Sequence, residues 1–322
     1  MFRHKNTYLY VLLSTLAAVW GCRRHDVEEF LPYTPTQEDL SQLFTQVPDA
    51  SAHTVFYFGG SIPDTTLTTA SGVRVFLADT DNLFADDTGT PAPCSTCPAL
   101  KIEVNSVLRK GDILSRGLPT TAYPGAKMLE SAGMVEVRAT CSGKTLHLLP
   151  NRYLKVQVPA NEVKSGMEVF TGAKDVQNQF AGWSPTGTEA FWAEWPGASA
   201  MQSGYELIVP QLGWSNCARP IIEQSSPFCV TLPEQFTALN ARVFLVFQNT
   251  HAVAQLSGDD ASSEFCFSEA PLGYPIRIVV IGKTGGQFWL SNQFTEIGSN
   301  VKLSVIPQPQ EEKQVVSFLK GL

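Results

Sequence analysis

Apolar and polar residues alternate with a period of two along most of the chain. The stretches "HTVFYFGG", "SGVRVFLADT", "ALKIEVNSVL" and "RYLKVQVPA" show this pattern, and turn-forming stretches such as "DDTGTP" and "CSGK" separate them. A second set, including "YELIVPQLGW", "ARVFLVFQN" and "PIRIVVIGK", follows residue 204. Short alternating segments at regular spacing are typical of antiparallel sandwiches. We therefore predict an all-β protein with two antiparallel β-sandwich-like domains.

The composition changes at both ends of the chain and once in the middle. Between Trp183 and Gly204 small residues and prolines replace the alternation, which indicates a linker. The end, "QEEKQVVSFLKGL", has acidic residues first and Lys320 in its last turn, as a short helix would. The predicted organisation is a signal peptide (1–21), a flexible tether (22–50), a first domain (51–185), a linker (186–204), a second domain (205–308) and a C-terminal helix (309–322).

The N-terminus has the pattern of a secretory signal. Basic residues precede an apolar run over 8–20, which is shorter than the roughly 20 residues that span a bilayer. The run ends "VWGC", and this junction resembles the lipobox of bacterial lipoproteins. The resemblance implies that Cys22 is acylated and anchors the protein to a membrane. An uncleaved signal anchor is the alternative.

The charge of the chain limits its partners. Its net charge is −7, and removing residues 1–21 takes away Arg3 and Lys5 and no acidic residue, which makes it more negative. Nucleic-acid binding needs clustered basic residues, so we expect no nucleic-acid partner.

The expected location is the cell envelope, anchored in the outer membrane and facing the periplasm or the cell surface. The acidic "HDVEE" that follows Cys22 resembles signals that export some lipoproteins to the surface.

Two stretches resemble a family of two-domain Bacteroidota lipoproteins. The first carries Thr120, Leu129-Glu130-Ser131, Gly133-Met134, Ala139-Thr140, Gly143-Lys144 and Leu146. The second, "YELIVPQLGWSNCARP", is similar to the opening of the family's second domain, with Ala218 and Pro220 in place of an aspartate and a phenylalanine. The resemblance implies the two-domain architecture and the envelope location. It implies no catalytic activity.

Six cysteines remain once Cys22 is assigned to the lipid. They are Cys94, Cys97, Cys141, Cys217, Cys229 and Cys266. An even number in an oxidising compartment predicts disulfides. Three precede the linker and three follow it, so each half keeps one free thiol or the halves share a bridge. Cys94 and Cys97 form a C-x-x-C in a proline-rich loop, and we expect either a bond between them or a bond from one of them to Cys141.

Motifs for catalysis and metal binding are weak. The chain lacks a G-x-S-x-G nucleophile elbow, and no cofactor is expected. Glu130, Glu136, Glu194 and Glu223 could act in acid–base chemistry only if the fold brought two of them together. His147 and His251 fit ordinary strand positions. Four aspartates are weak calcium candidates, although a solvated turn explains them as well: Asp79, Asp81, Asp86 and Asp87.

Tryptophans cluster around the predicted linker. Trp183, Trp192, Trp195 and Trp214 lie close together in the sequence. Trp192 and Trp195, in "FWAEWPG", are the candidates for an exposed platform that stacks a ligand, and packing between the domains is the alternative.

These observations favour a lipid-anchored envelope protein that is a non-catalytic binding or structural module. The expected partners are the membrane, through the lipid, and an envelope protein or a glycan. Glycan or peptide binding by the linker tryptophans is the second hypothesis, and an unrecognised hydrolase is the third.

Overall fold

The computed structural model describes residues 36–60, 62–197 and 200–322, and the predicted signal peptide and Cys22 lie outside this part. The described chain is mostly β, in several antiparallel sheets, with a short C-terminal helix. The predicted fold class, all-β and sandwich-like, is therefore confirmed.

The first half of the chain contributes most of two packed sheets. One contains β1 (His53–Phe58), β5 (Leu100–Val107), β6 (Leu129–Cys141), β7 (Lys144–Thr145), β10 (Glu168–Lys174), β11 (Phe180–Glu189) and β14 (Gly213–Pro220). Its order is β1-β5-β6-β14-β10-β11, with β7 paired to β6. The other contains β2 (Thr65–Thr68), β3 (Arg74–Leu77), β9 (Leu154–Pro159), β12 (Phe191–Pro196) and β13 (Met201–Val209), in the order β12-β13-β9-β3-β2. A separate pair joins β4 (Phe84–Ala85) to β8 (His147–Leu148).

The rest of the chain forms an eight-stranded sheet. Its strands are β15 (Ser225–Thr231), β16 (Ala241–Phe247), β17 (Val253–Gly258), β18 (Glu264–Pro271), β19 (Pro275–Thr284), β20 (Gln287–Glu296), β21 (Val301–Ser304) and β22 (Gln308–Gln310). They follow the order β21-β15-β18-β17-β16-β19-β20-β22. Only β15 and β21 pair in parallel.

Three α-helices complete the described chain: α1 (Ser41–Thr45), α2 (Lys110–Ser115) and α3 (Glu312–Lys320). Glu311 and Gln314 form a capping box at the start of α3, which satisfies backbone N–H groups that the helix itself leaves unpaired. None of these helices has the length and apolar character needed to cross a bilayer.

Apolar side chains pack into three cores. The first lies between the five- and seven-stranded sheets and includes Val75, Val156 and Val137. The second includes Met134 and Trp183 of the seven-stranded sheet together with side chains from the three helices and from β16 and β19. The third includes Leu245 and other side chains of the eight-stranded sheet. Successive residues of a strand face opposite sides of a sheet. The apolar runs "VFLVF" in β16 and "IVVI" in β19 therefore place side chains in both the second and the third core.

Two predicted segments differ from the structure. The expected linker, 186–204, contains β12 and parts of β11 and β13, because its aromatic residues pair in strands despite the prolines. The expected tether, 22–50, is packed from residue 36 onward, where Leu40, Leu43 and Val47 are buried in the second core. In addition, β14, which falls within the predicted second domain, lies at the centre of the seven-stranded sheet.

Candidate functional site

Hydrogen bonds join β6 and the segment that precedes it to the start of β17. The Thr120 N–H donates to the Val253 carbonyl at 2.8 Å, and the Val253 N–H donates to the Thr120 hydroxyl at 2.9 Å. One turn away, the Ser131 N–H donates to the His251 carbonyl at 3.0 Å. We call this region, together with the side chains around it, the junction. Its geometry holds two sheets in a fixed register.

Lys110 connects the same two parts from α2. Its ammonium group donates to the backbone carbonyls of Phe247 and Gln248, the latter at 3.0 Å. Burial and the nearby charge of Arg277 lower the pKa of Lys110 to about 8. The side chain is therefore still mostly protonated at neutral pH, and it satisfies two carbonyls at the end of β16.

A buried carboxylate lies at the centre of the junction. Glu130 is only 5% exposed, and Arg219, its cross-strand neighbour on β14, donates to it from Nε at 2.7 Å and from Nη2 at 2.6 Å. Lys164 donates to the other carboxylate oxygen. Burial alone would raise the pKa of Glu130, but the hydrogen bonds and charges of Lys164 and Arg219 outweigh it and hold the pKa below its usual value. Glu130 is therefore ionised at neutral pH and is a structural group and a poor general acid.

His251 reaches the junction from the turn between β16 and β17. Its Nδ1 lies 3.1 Å from the Ser131 carbonyl and donates to it, whereas its buried Nε2 has no hydrogen-bond partner within the described chain. Burial, and secondarily the charge of Lys110, lower the pKa of His251 to about 4. The imidazole is therefore neutral at physiological pH.

Ser131 does not form a nucleophile–base pair with this histidine. Its hydroxyl donates to the Asn216 side-chain oxygen at 2.6 Å and accepts from the Gly133 N–H at 3.0 Å. Activation of a serine requires its hydroxyl proton to point at a base. Here the proton is donated to the side-chain oxygen of Asn216, a residue that is fully buried.

Two cavities of about 410 Å³ each open beside the junction. Ser131, Lys164 and His251 line one, and Glu130 and Tyr274 line part of the other. Glu223, one of the predicted acid–base candidates, lines the second cavity with Glu130. Burial and a hydrogen bond with Glu223 raise the pKa of Tyr274. The carboxylate of Glu130 is already bound by two cations, so the two acids do not form a shared-proton pair.

A cavity of about 860 Å³ lies where β17 and β18 separate. These strands pair only at Ser257–Cys266 and Gly258–Phe265. Arg242 lines the cavity, and its guanidinium donates to backbone carbonyls of the same segment. The wall also contains the Cys229–Cys266 disulfide, whose sulfurs lie near Glu264. Because metals bind thiolates, the disulfide-bonded sulfurs do not offer the ligands that this spacing would otherwise suggest.

The cysteines pair within the two halves of the chain. Cys97 bonds Cys141, which is one of the two arrangements that the C-x-x-C loop predicted, and Cys229 bonds Cys266. Cys94 and Cys217 are free and buried. Burial raises the pKa of Cys94 to about 11 and raises that of Cys217 further. Neither thiol is therefore poised as a nucleophile at neutral pH.

The predicted tryptophan platform does not form. Trp195 is 2% exposed and donates from its indole N–H to Gln202 at 3.2 Å. Trp192 packs edge-on against Tyr205, with ring centroids 5.2 Å apart. The reason is local, because Trp195 is buried and the half-buried Trp192 packs against the first core.

The four aspartates of the calcium hypothesis have separate partners. Asp87 pairs with His147, Asp79 with Arg152, and Asp81 accepts from the Ser95 N–H. Asp86 accepts hydrogen bonds from Thr88 and Thr90, which lower its pKa. No three of these carboxylates converge on a common point within the described chain.

A second charged cluster, which the sequence did not predict, lies on the outer face of the five-stranded sheet. Arg74 donates to the Gln157 side chain at 2.9 Å, Gln157 donates to Glu206 at 2.9 Å, and Lys155 lies 3.5 Å from Glu206. All four occupy polar positions of alternating strands. The alternation was visible in the sequence, but it did not show which strands are neighbours.

The remaining prediction about a site concerns Cys22, which lies outside the described residues. Comparison with protein-family models, with curated proteins and with solved structures finds no match for this chain. The chemistry of the junction and of the outer face is therefore what supports a function.

Proposed function

We propose that this protein is a lipid-anchored cell-envelope protein that acts as a non-catalytic binding or structural module. The observation that carries the proposal is the use of polar side chains at the junction. Glu130 binds Lys164 and Arg219, and Ser131 binds Asn216. Lys110 and His251 donate to backbone carbonyls. These residue types could perform acid–base or nucleophilic chemistry, but here each satisfies a neighbour in the fold.

Physical chemistry favours a structural role for such a network. Removing a charged group from water costs several kcal/mol unless partners replace the lost hydration. At the junction these partners come from different strands and loops, so the network holds the sheets together. A general acid or base instead needs a pKa near the working pH and a free path to substrate. Lys164 and Arg219 hold the pKa of Glu130 below its usual value, and burial lowers the pKa of His251 to about 4.

The anchor and the location rest on the sequence. The short apolar segment and the junction "VWGC" support acylation of Cys22, and the resemblance to Bacteroidota lipoproteins supports an outer-membrane location. A lipid-anchored module needs surfaces that face a partner, and an envelope protein or a glycan is the partner we propose.

Two measurements test the proposal. Separation of membrane and soluble fractions from cells that express the chain or a Cys22→Ser variant tests the anchor: the variant is expected in the soluble fraction and the parent in the membrane fraction. Incubation of the purified full chain with ester, glycoside and peptide substrates tests the absence of catalysis. Retention of Cys22→Ser in the membrane would contradict the anchor, and turnover that purifies with the protein would contradict the non-catalytic module.

A further inference from the structure

A depression of about 460 Å³ lies on the outer face of the five-stranded sheet, away from the junction. Its lining includes Tyr153, Phe76, Ile208, Lys155, Asp64 and Thr66. This combination places apolar rings beside hydroxyl, ammonium and carboxylate groups. The depression therefore offers both a stacking surface and hydrogen-bonding groups.

Strand register builds the floor of the depression. Thr66 pairs with Phe76, Phe76 with Lys155, and Lys155 with Ile208, so the four side chains form one row across β2, β3, β9 and β13. Neighbouring strands lie about 4.8 Å apart, so the row is about 14 Å long. An elongated ligand can follow it over more than one ring.

The two aromatic residues have different roles. The Lys155 ammonium lies 4.6 Å, and the Arg74 guanidinium 5.2 Å, from the centre of the Phe76 ring, and these cation–π contacts hold the ring in place. Tyr153 precedes β9 and is 57% exposed. Phe76 is therefore a fixed floor, and Tyr153 is the ring available for stacking.

The charge of the depression selects among ligands. Among the described residues that line it, Lys155 and Asp64 carry opposite charges, and Lys155 is further neutralised by Glu206 at 3.5 Å. Such a surface offers little net electrostatic attraction to an anionic ligand, and no more to a cationic one. A neutral ligand rich in hydroxyl groups can use the donors and acceptors without a charge penalty.

From these observations we propose that the depression binds a neutral polysaccharide, with a sugar ring stacked on Tyr153 and its hydroxyl groups bonded to Thr66, Asp64 and Lys155. The inference deepens the binding module proposed above and rests on it. It places the ligand platform at Tyr153 on the outer face of the five-stranded sheet and not at Trp192 and Trp195.

Affinity electrophoresis tests this inference with the full chain extracted in mild detergent. Native gels contain hydroxyethylcellulose, xylan, galactomannan or pullulan, and a gel with anionic carboxymethylcellulose is the charged comparison. We expect retardation in at least one neutral gel. Tyr153→Ala should weaken that binding by about tenfold or more, because it removes the exposed ring.

Two further variants separate loss of the site from loss of the fold. Thr66→Arg fills the depression while leaving Tyr153 in place, and it also replaces the Thr66 hydroxyl, so it should abolish retardation as well. Tyr57→Ala is the matched control, since Tyr57 is 75% exposed on β1 of the other sheet, and it should bind within about twofold of the parent. Thermal unfolding of each variant verifies that it is folded.

The outcomes distinguish this inference from the proposed function. No retardation in any neutral gel, retardation by carboxymethylcellulose alone, or full binding by folded Tyr153→Ala would overturn the polysaccharide site and leave the non-catalytic module standing. Shortening of a polysaccharide by the protein, detected as new reducing ends, would instead overturn the non-catalytic module.

Discussion

The junction and the outer face of the five-stranded sheet use the same residue types in different surroundings. At the junction, Glu130 binds Lys164 and Arg219, and the carboxylate is almost fully buried. On the outer face, Glu206 contacts Lys155 directly and Arg74 through Gln157, and the Lys155 side chain is 40% exposed. Both clusters link a glutamate to a lysine and an arginine across strands.

The difference shows that burial, and not residue type, decides what a charged cluster can do. At the junction the Glu130 carboxylate is shielded from water, so it needs protein partners and has little hydrogen-bonding capacity left for a ligand. On the outer face water still reaches the charged groups. A ligand that displaces this water can form hydrogen bonds without disturbing the fold.

The largest expected effect comes from removing the central carboxylate of the junction. Glu130→Gln leaves Lys164 and Arg219 without their anion in a poorly hydrated site, and we expect the free energy of unfolding to fall by about 3 kcal/mol. The matched variant Glu206→Gln should cost less than about 1 kcal/mol, because its ion pair is partly exposed. Urea unfolding measures both, and equal losses would contradict the contrast between the clusters.

The pH dependence of stability should report on the junction. The pKa of His251 is about 4 in the fold and about 6.5 in an ordinary peptide. Between these values the unfolded chain binds more protons, so stability falls as pH drops from 6.5 to 4. We expect His251 to contribute about 2 kcal/mol to this loss, after discounting for partial exposure.

Urea unfolding at a series of pH values checks this prediction with the variant His251→Gln. The variant should show a flatter dependence in that window. Glu130 lowers the stability further only at lower pH. Its pKa is lowered in the fold, so the ionised form that stabilises the fold is lost only as the pH falls below the usual titration range of a glutamate. A parent and a variant with the same slope between pH 4 and 6.5 would refute the burial of a neutral imidazole.

The smallest expected effects come from replacing one lysine in each cluster, Lys155 on the outer face and Lys164 at the junction. Lys155→Ala removes one hydrogen-bonding group from the outer-face depression and should weaken polysaccharide binding by about threefold. Lys164→Ala should leave binding unchanged and lower stability instead, because its partner Glu130 stays buried. Affinity electrophoresis measures the binding of both variants, and urea unfolding measures their stability. A binding loss confined to Lys164→Ala would place the ligand at the junction.

Periodicity of single strands predicted the fold class well, since alternation such as Val73, Val75 and Leu77 depends only on nearest neighbours. Packing between distant segments was not predictable in the same way. The link between Glu130 and Arg219 depends on β6 and β14 being adjacent, although more than 70 residues separate them. The buried position of Trp195 similarly depends on β12 pairing with β13, which the prolines of that region obscured.

The cysteines illustrate the same limit. The even number of cysteines and their division between the two halves of the chain reduced the number of possible disulfides. The proline-rich loop favoured a disulfide that involves Cys97 or Cys94. The choice of Cys141 as the partner follows from the pairing of β5 with β6, which brings Leu100 opposite Cys141. Strand register, and not spacing in the sequence, settled the bond.

The most direct test of the contrast between the two clusters is NMR mapping of the isotopically labelled full chain during titration with neutral oligosaccharides of glucose, xylose and mannose. We predict that chemical shifts change at Tyr153, Phe76, Lys155 and Ile208, while those of Ser131, Lys164 and His251 stay constant. Changes centred on the junction residues, or no changes with any of these sugars, would contradict the assignment of binding to the outer face and of structure to the junction.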